Sequence, residues 1–180
     1  MYFYDIIKTD MTIPEGMFAA ALRIIVFSDS HGDYQILSDI IRRHINDTDI
    51  FIHLGDGQRE FLKITQMFPD KKMLSVPGNC DWAGSTETTK ILHVSGRKIL
   101  YTHGHTYRVK SGLDMLKEAA IAQDAHIALF GHTHIPASSF DGRLHLFNPG
   151  SVIRGAGGIN PSYGIIELSK NSVEPRIMSL

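Results

Sequence analysis

The chain has 180 residues, a formal net charge of −1 at pH 7, 43% hydrophobic and 21% charged residues. This is the composition of an ordinary globular domain, long enough to bury about 70% of its unfolded surface without disulfides or metal staples. No Lys/Arg run exceeds two residues (Arg42-Arg43, Lys71-Lys72), so composition carries no nucleic-acid footprint and no polybasic membrane patch, although a nucleotide substrate stays open.

Residues 1–21 precede the first clear strand and read as an N-terminal extension. Residues 22–180 read as a single domain, since no repeat, low-complexity tract or long Pro/Gly/Ser linker divides them. Met17–Ser28 contains Arg23 and has neither a basic region before it nor a cleavage pattern after it, so it is not read as a signal peptide. Leu22–Ser28 (LRIIVFS) is a continuous β-branched and aromatic run, the mark of a buried strand. Asp33–Asn46 reads as a helix with Ile36, Leu37, Ile40, Ile41 and Ile45 on one face and Asp33 as its cap. Ile50–Leu54 is a second strand, Gln58–Phe68 a helix stopped by Pro69, and Met73–Val76 a third strand. Three β/α units in succession predict parallel strands with helices on their faces.

The second half is richer in hairpins. Lys90–Val94 and Arg97–Thr102 flank Ser95-Gly96. Ser111–Gln123 is a predicted helix with capping-box spacing between Ser111 and Asp114. His126–Phe130 is another buried strand. Ala137–Phe140 and Arg143–Phe147 flank Asp141-Gly142, and Tyr163–Leu168 and Val173–Met178 turn at Lys170-Asn171. The predicted fold is α/β, with about ten strands in two packed mixed β-sheets flanked by three helices.

The polar residues gather at one kind of place. LRIIVFS runs into Asp29-Ser30-His31, IFIHL into Gly55-Asp56-Gly57, and KMLSVP into Gly78-Asn79-Cys80-Asp81. KILYT runs into His103-Gly104-His105 and HIALF into Gly131-His132-Thr133-His134. Taken singly, Asp29 and His31, either His103 or His105 and, most clearly, Asp56 are better read as turn or packing residues, and Asn79 is a plausible turn residue. The His132/His134 pair is harder to dismiss, because in extended backbone residues i and i+2 point the same way. The conjunction shifts the balance: five apolar strands each deliver Asp, Asn or His just past the carboxyl end, the edge where open α/β sheets bind ligands. The set is too nitrogen-rich for calcium or magnesium and suits manganese, iron, cobalt, nickel or zinc.

The ordered D-x-H, G-D, G-N, H-G and G-H-x-H blocks, from Asp29 to His134, resemble those of the calcineurin-like metallophosphoesterases. Within that superfamily the chain is most similar to the small bacterial and archaeal phosphodiesterase group that also includes the Vps29-like chains. The likeness extends through Asn148-Pro149-Gly150-Ser151 and Arg154-Gly155 to Pro161-Ser162-Tyr163. It implies a two-sheet sandwich with two divalent metal ions, manganese first among the candidates, at the sheet edge. Asp29, His31 and His134 would bind one ion, Asn79, His103 and His132 the other, and Asp56 both. It implies hydrolysis of a phosphodiester by a hydroxide shared between the ions, with Asn79 also a catalytic candidate that would contact a phosphate oxygen and offset charge on the transferred group. Two divalent ions set against two carboxylates and one hydroxide leave a net positive charge to meet a diester anion. A homodimer is compatible with the group.

One departure concerns the proton donor. Many members of the wider superfamily carry His after the Gly-Asn, where it can protonate the leaving oxygen; here the residue is Cys80. An unperturbed thiol, with a pKa of about 8.5, is a poorer acid catalyst at neutral pH than an imidazole. Cys80 is read as a catalytic candidate beside an equally good packing role, and His105 as an alternative donor through its proximity to His103. His53 is expected in the core or behind the ligands, Trp82 in packing or stacking on a base, and Asn148 as a loop tie or a turn. With a single cysteine no intrachain disulfide can form, which fits a reducing cytoplasm, and no apolar stretch is long enough to span a membrane. The alternatives to a phosphodiesterase are a non-catalytic Vps29-like protein-binding scaffold and a phosphomonoesterase.

Overall fold

The computed structural model describes residues 8–13, 21–81, 87–155, 158–169 and 171–180. Trp82 and Lys170 lie outside them.

Strand β2 (Leu22–Phe27) is the axis of a five-stranded sheet. Its parallel neighbour is β3 (Ile50–His53), followed by β4 (Lys72–Ser75), while β10 (Ser162–Leu168) and β11 (Val173–Ser179) add antiparallel on the other side. The run LRIIVF lacks polar alternation because both of its faces are covered. Ile24 and Val26 point into the space between the two sheets, and Ile25 and Phe27 point outward. The outer side is closed by helices α1 (Tyr34–His44) and α2 (Gln58–Thr65), which set Leu37, Ile40, Ile41, Phe61 and Ile64 against Ile25, Phe27 and Phe51. Asp33 caps α1 as predicted, accepting from the Ile36 N–H at 3.0 Å.

The second sheet has six strands in the order β1 (Lys8–Thr12), β5 (Thr89–Val94), β6 (Arg97–Thr102), β7 (Ile127–Leu129), β9 (His145–Asn148) and β8 (Ala137–Phe140). Helix α3 (Asp114–Ala122) covers its outer face through Leu116 and Ala120 against Leu100 and Ala128. Leu92, Ile99, Leu129 and Phe147 meet Ile24, Val26, Ile50, Ile52 and Ile166 between the sheets. The architecture is therefore the two mixed sheets with flanking helices that the sequence implied. Among the described residues no helix is long and apolar enough to cross a membrane.

Three local readings change. The polar segment KTDMT gives no strand signal, and reading 1–21 as an extension misses it. Lys8–Thr12 nevertheless pairs parallel with β5, with an irregularity between Thr9 and Met11. Helix α3 starts three residues later than Ser111, and no side chain caps it. The chain leaves β6 through a 3-10 turn at His105–Tyr107 and a left-handed Arg108, so Ser111 is spent in a turn, donating its N–H to Arg108 O at 2.8 Å. The β8–β9 connection is longer than two residues because the Asp141 carboxylate accepts from the Arg143 and Leu144 N–H groups and holds both in the loop.

The topology places the loops. Strands β2, β3 and β4 are mutually parallel, and so are β6 and β7, so each set delivers its carboxyl ends to one edge. Backbone bonds stitch these ends together: Asp29 N–H to Gly55 O at 3.0 Å, His31 N–H to Asp56 O at 2.8 Å, and Gly131 N–H to His103 O at 3.1 Å.

Candidate metal centre

Each loop turns abruptly where its strand stops. Eight non-glycine residues with positive φ occur among the described residues, and five are Asp29 (56°), His31 (44°), Asp56 (55°), His132 (66°) and His134 (59°). A left-handed residue with a Cβ costs about 1–2 kcal/mol, and such strain concentrates where side chains must be aimed. His132 and His134 are thus not an extended i, i+2 pair as the sequence suggested; two left-handed residues bracket Thr133 and send the imidazoles to different neighbours. Glycine permits the loops to approach. A Cβ on Gly55, whose φ is +102°, would lie 2.5 Å from Gly78 N, and one on Gly78 would collide with the Asp56 carboxylate.

Asp29, His31 and His134 form one cluster, with one donor atom from each within 4.8 Å of the others. His134 Nε2 lies 3.0 Å and His31 Nε2 3.9 Å from Asp29 Oδ1, and the two Nε2 atoms are 3.3 Å apart. Asp29 is fully buried. Its Oδ2 accepts from Ser28 Oγ and from the His132 N–H, whereas Oδ1 has no hydrogen bond among the described residues. Burial pushes the Asp29 carboxyl pKa up, but the imidazole of His134, the charge of His103 and the Ser28 hydroxyl outweigh it and hold it below the usual range. Reciprocally, the contact with Asp29 raises the His134 pKa.

Asp56, His103 and His132 form the second cluster within the same 4.8 Å limit. His103 donates Nδ1–H to Leu54 O at 2.8 Å, so in the neutral ring its Nε2 presents a lone pair. That lone pair faces Asn79 Oδ1 at 3.2 Å, Asp56 Oδ2 at 3.5 Å and His132 Nδ1 at 3.2 Å. Two of these neighbours are oxygens that can only accept. Burial pushes the Asp56 carboxyl up, but His103 and the Cys80 N–H, which donates to Asp56 Oδ1 at 2.7 Å, override it and keep it ionised. Burial, reinforced by His103, pulls His132 down to about 4. Asp56 Oδ2 is also 4.0 Å from His31 Nε2, so this carboxylate reaches both clusters. All seven predicted ligand residues (Asp29, His31, Asp56, Asn79, His103, His132 and His134) are therefore brought to one place. The orphaned Asp29 Oδ1 and the acceptor-to-acceptor approaches around His103 are satisfied only by a proton or cation between them, and the donor set of imidazole, carboxylate and amide oxygen fits divalent transition metals.

The two proton-donor candidates sit differently. His105 is beside the second cluster and belongs to neither, its ring 5.3 Å from His103 and 6.1 Å from His132; burial, then His103, lowers its pKa. Cys80 is exposed, so it does not serve as a core packing residue. Partial desolvation of the thiol, followed by hydrogen bonding and charge from Asp56, pushes its pKa up. Cys80 opens on a cavity of about 370 Å³ lined also by His31, Asp56, Arg59 and Glu60.

The residue that sequence reading passed over is Asp81. Its carboxylate accepts from the N–H groups of Asp56 (2.7 Å), Gly57 (2.9 Å), Gln58 (3.0 Å) and Gly78 (2.8 Å). It thereby caps α2, whose own N-cap, Gly57, has no side chain, and locks the Asp56 loop to the Asn79 loop. A helix preceded by Gly-Asp-Gly needs an outside acceptor, and that need was the available signal. Asn148 does what was expected of it in both respects. Its Nδ2 donates to Gly131 O and Thr133 Oγ1, and its Oδ1 accepts from the Gly150 N–H.

His53 is fully buried behind the site. Gly55 N–H donates to its Nδ1 at 3.1 Å, so Nε2 carries the proton and donates to Ser30 Oγ at 3.1 Å. Burial drives its pKa down to about 4 from 6.5. The folded state therefore resists a proton that the unfolded chain accepts: stability is complete above pH 6.5, falls as pH drops towards 4, and loses on the order of 3 kcal/mol. Urea titrations between pH 7 and 4 should show this slope in the wild type and a flatter one in His53→Gln; identical slopes would assign the acid lability elsewhere.

Residues 22–171 match the calcineurin-like phosphoesterase superfamily domain. The chain is 34% identical over 156 residues to a probable metallophosphoesterase, YsnB, of Bacillus subtilis, covering 86% of this chain and 89% of that one. It is 32% identical over 107 residues to the phosphodiesterase YfcE of Escherichia coli, covering 53% of each. The crystal structure of a predicted phosphoesterase from Streptococcus pneumoniae superposes with a TM-score of 0.78 at 28% identity, covering 89% of this chain and 90% of that one.

Proposed function

Because this chain belongs to the calcineurin-like phosphoesterase superfamily, we propose that it is a metal-dependent phosphodiesterase with two cation positions, filled preferentially by manganese, acting on a small diester. Asp29, His31 and His134 would hold one cation, Asn79, His103 and His132 the other, and Asp56 would serve both. The observation that carries this reading is that donors from five strand ends converge with a buried carboxylate oxygen left unsatisfied. When bound, such cations lower the pKa of water towards 7 and offset charge on the phosphoryl group. The protein's own part is preorganisation. Leu54 O sets the His103 tautomer, Ser28 and His132 hold one oxygen of Asp29, and Cys80 N–H holds one oxygen of Asp56. The name of the YfcE relative supports diesters over monoesters.

The test is hydrolysis of bis(p-nitrophenyl) phosphate with and without added manganese, alongside p-nitrophenyl phosphate. Diester turnover that depends on the metal and exceeds monoester turnover supports the reading. Faster monoester turnover makes the protein a phosphomonoesterase, and a metal-replete chain silent on every phosphoester makes it a binding scaffold. The raised pKa of Cys80 makes it a weak proton donor, so esters with good leaving groups should be favoured. Cys80→His should accelerate alkyl diesters more than nitrophenyl diesters; equal gains in a leaving-group series would remove Cys80 from the proton-transfer step.

A further inference from the structure

His31 Nε2, an Asp56 carboxylate oxygen and Cys80 Sγ form a third group whose donor atoms all lie within 4.8 Å of one another. It is separate from the two clusters in chemistry, since it alone contains sulfur, yet it shares His31 with the first and Asp56 with the second. The backbone under Cys80 is fixed: its N–H donates to Asp56 Oδ1 at 2.7 Å, and the neighbouring Asp81 is tied to four amides. The side chain above it is exposed, and its sulfur accepts from Asn79 Nδ2 at 3.2 Å.

We propose that His31, Asp56 and Cys80 make a thiolate-containing cation site that captures zinc-class ions and excludes the two-cation arrangement. The inference rests on the proposed function, because the excluded arrangement is the one assigned there. On capture the Cys80 S–H bond is exchanged for a sulfur–metal bond, the proton leaves to solvent, and nothing is oxidised or reduced. Thiolate is a soft ligand that favours zinc and cobalt over manganese, whereas the imidazole, carboxylate and amide donors of the other clusters accept manganese. His31 and Asp56 cannot serve the soft ion and the productive pair together. Zinc should therefore hold the protein in an unproductive metal state, and Cys80 would set which metal the protein can use.

Cys80 is the only cysteine in the chain, so its alkylation by iodoacetamide can be followed by intact mass on the full-length protein. Saturating zinc should slow alkylation about tenfold or more, while manganese should change it by less than about twofold. Cobalt should give a sulfur-to-metal charge-transfer band in the near ultraviolet that is absent from Cys80→Ser. Equal alkylation rates with and without zinc would overturn the site. Equal protection by both metals, or a cobalt spectrum unchanged in Cys80→Ser, would also overturn it, by showing that the thiol is shielded and not bound. Manganese-dependent diester hydrolysis, measured in parallel, separates the two proposals. If turnover is present and zinc protection absent, only the thiolate site fails; if there is no turnover with any metal, the phosphodiesterase reading fails.

Discussion

Asp56→Asn should lower manganese-dependent diester hydrolysis by about 10³-fold or more, equivalent to about 4 kcal/mol in the activation barrier, while leaving the metal-free fold intact. Asp56 is the carboxylate whose Oδ2 approaches both His31 and His103. An amide in its place keeps the acceptor for the Cys80 N–H, so the loop stays anchored. Its NH₂ then points where Oδ2 was, towards the His103 Nε2 lone pair. The variant replaces an acceptor facing an acceptor with a donor facing an acceptor, so a cluster that calls for a cation becomes satisfied without one. The metal-free melting temperature should be unchanged or higher, and the stabilisation that manganese gives the wild type should be lost. Calorimetric titration with manganese and melting curves with and without it test both statements. A variant retaining a tenth of wild-type turnover would show that this carboxylate does not join two cation positions.

Asp81→Ala should be the most damaging single change to stability at this edge, at about 4 kcal/mol. Four amides lose one anionic acceptor, and unpaired amide groups cost roughly 1–3 kcal/mol each, reduced here because water can reach part of the site. The N-terminus of α2 loses the carboxylate that caps it at the same step. Urea midpoints should fall with the slope unchanged, and Asp81→Asn should lie between the two, since its amide oxygen still accepts while its NH₂ opposes the N–H groups around it. Turnover should fall further than stability explains, because the left-handed Asp56 is held against Gly78 through this carboxylate. A loss below about 1 kcal/mol in Asp81→Ala would mean that water replaces the carboxylate at these amides.

Much of the fold could be read from the order of the residues, because burial leaves a local trace. LRIIVF and IFIH are continuous, largely apolar runs, and each lies in a sheet with helices on one face and a second sheet on the other. The amphipathic stripe and Asp33 cap of α1 were equally legible. KTDMT was not, since a short edge strand is held by backbone bonds to β5 and needs no apolar pattern of its own. The start of α3 was misplaced because the turn at Arg108 consumes residues that local capping rules assign to the helix.

The chemistry at the strand ends divides along the same line. Residue types and their positions after five strands are properties of the chain itself, and they sufficed to nominate the seven polar groups and the family resemblance. The order of residues left undetermined that Asp81 clamps two loops, that His31 and Asp56 also face an exposed Cys80, and that His132 and His134 part company through left-handed backbone. These depend on atoms that are distant in sequence, 103 residues apart for His31 and His134, meeting at a few ångströms. Hydrogen-bond direction, tautomer and burial at such distances are set by the packing of whole sheets, which no local pattern encodes.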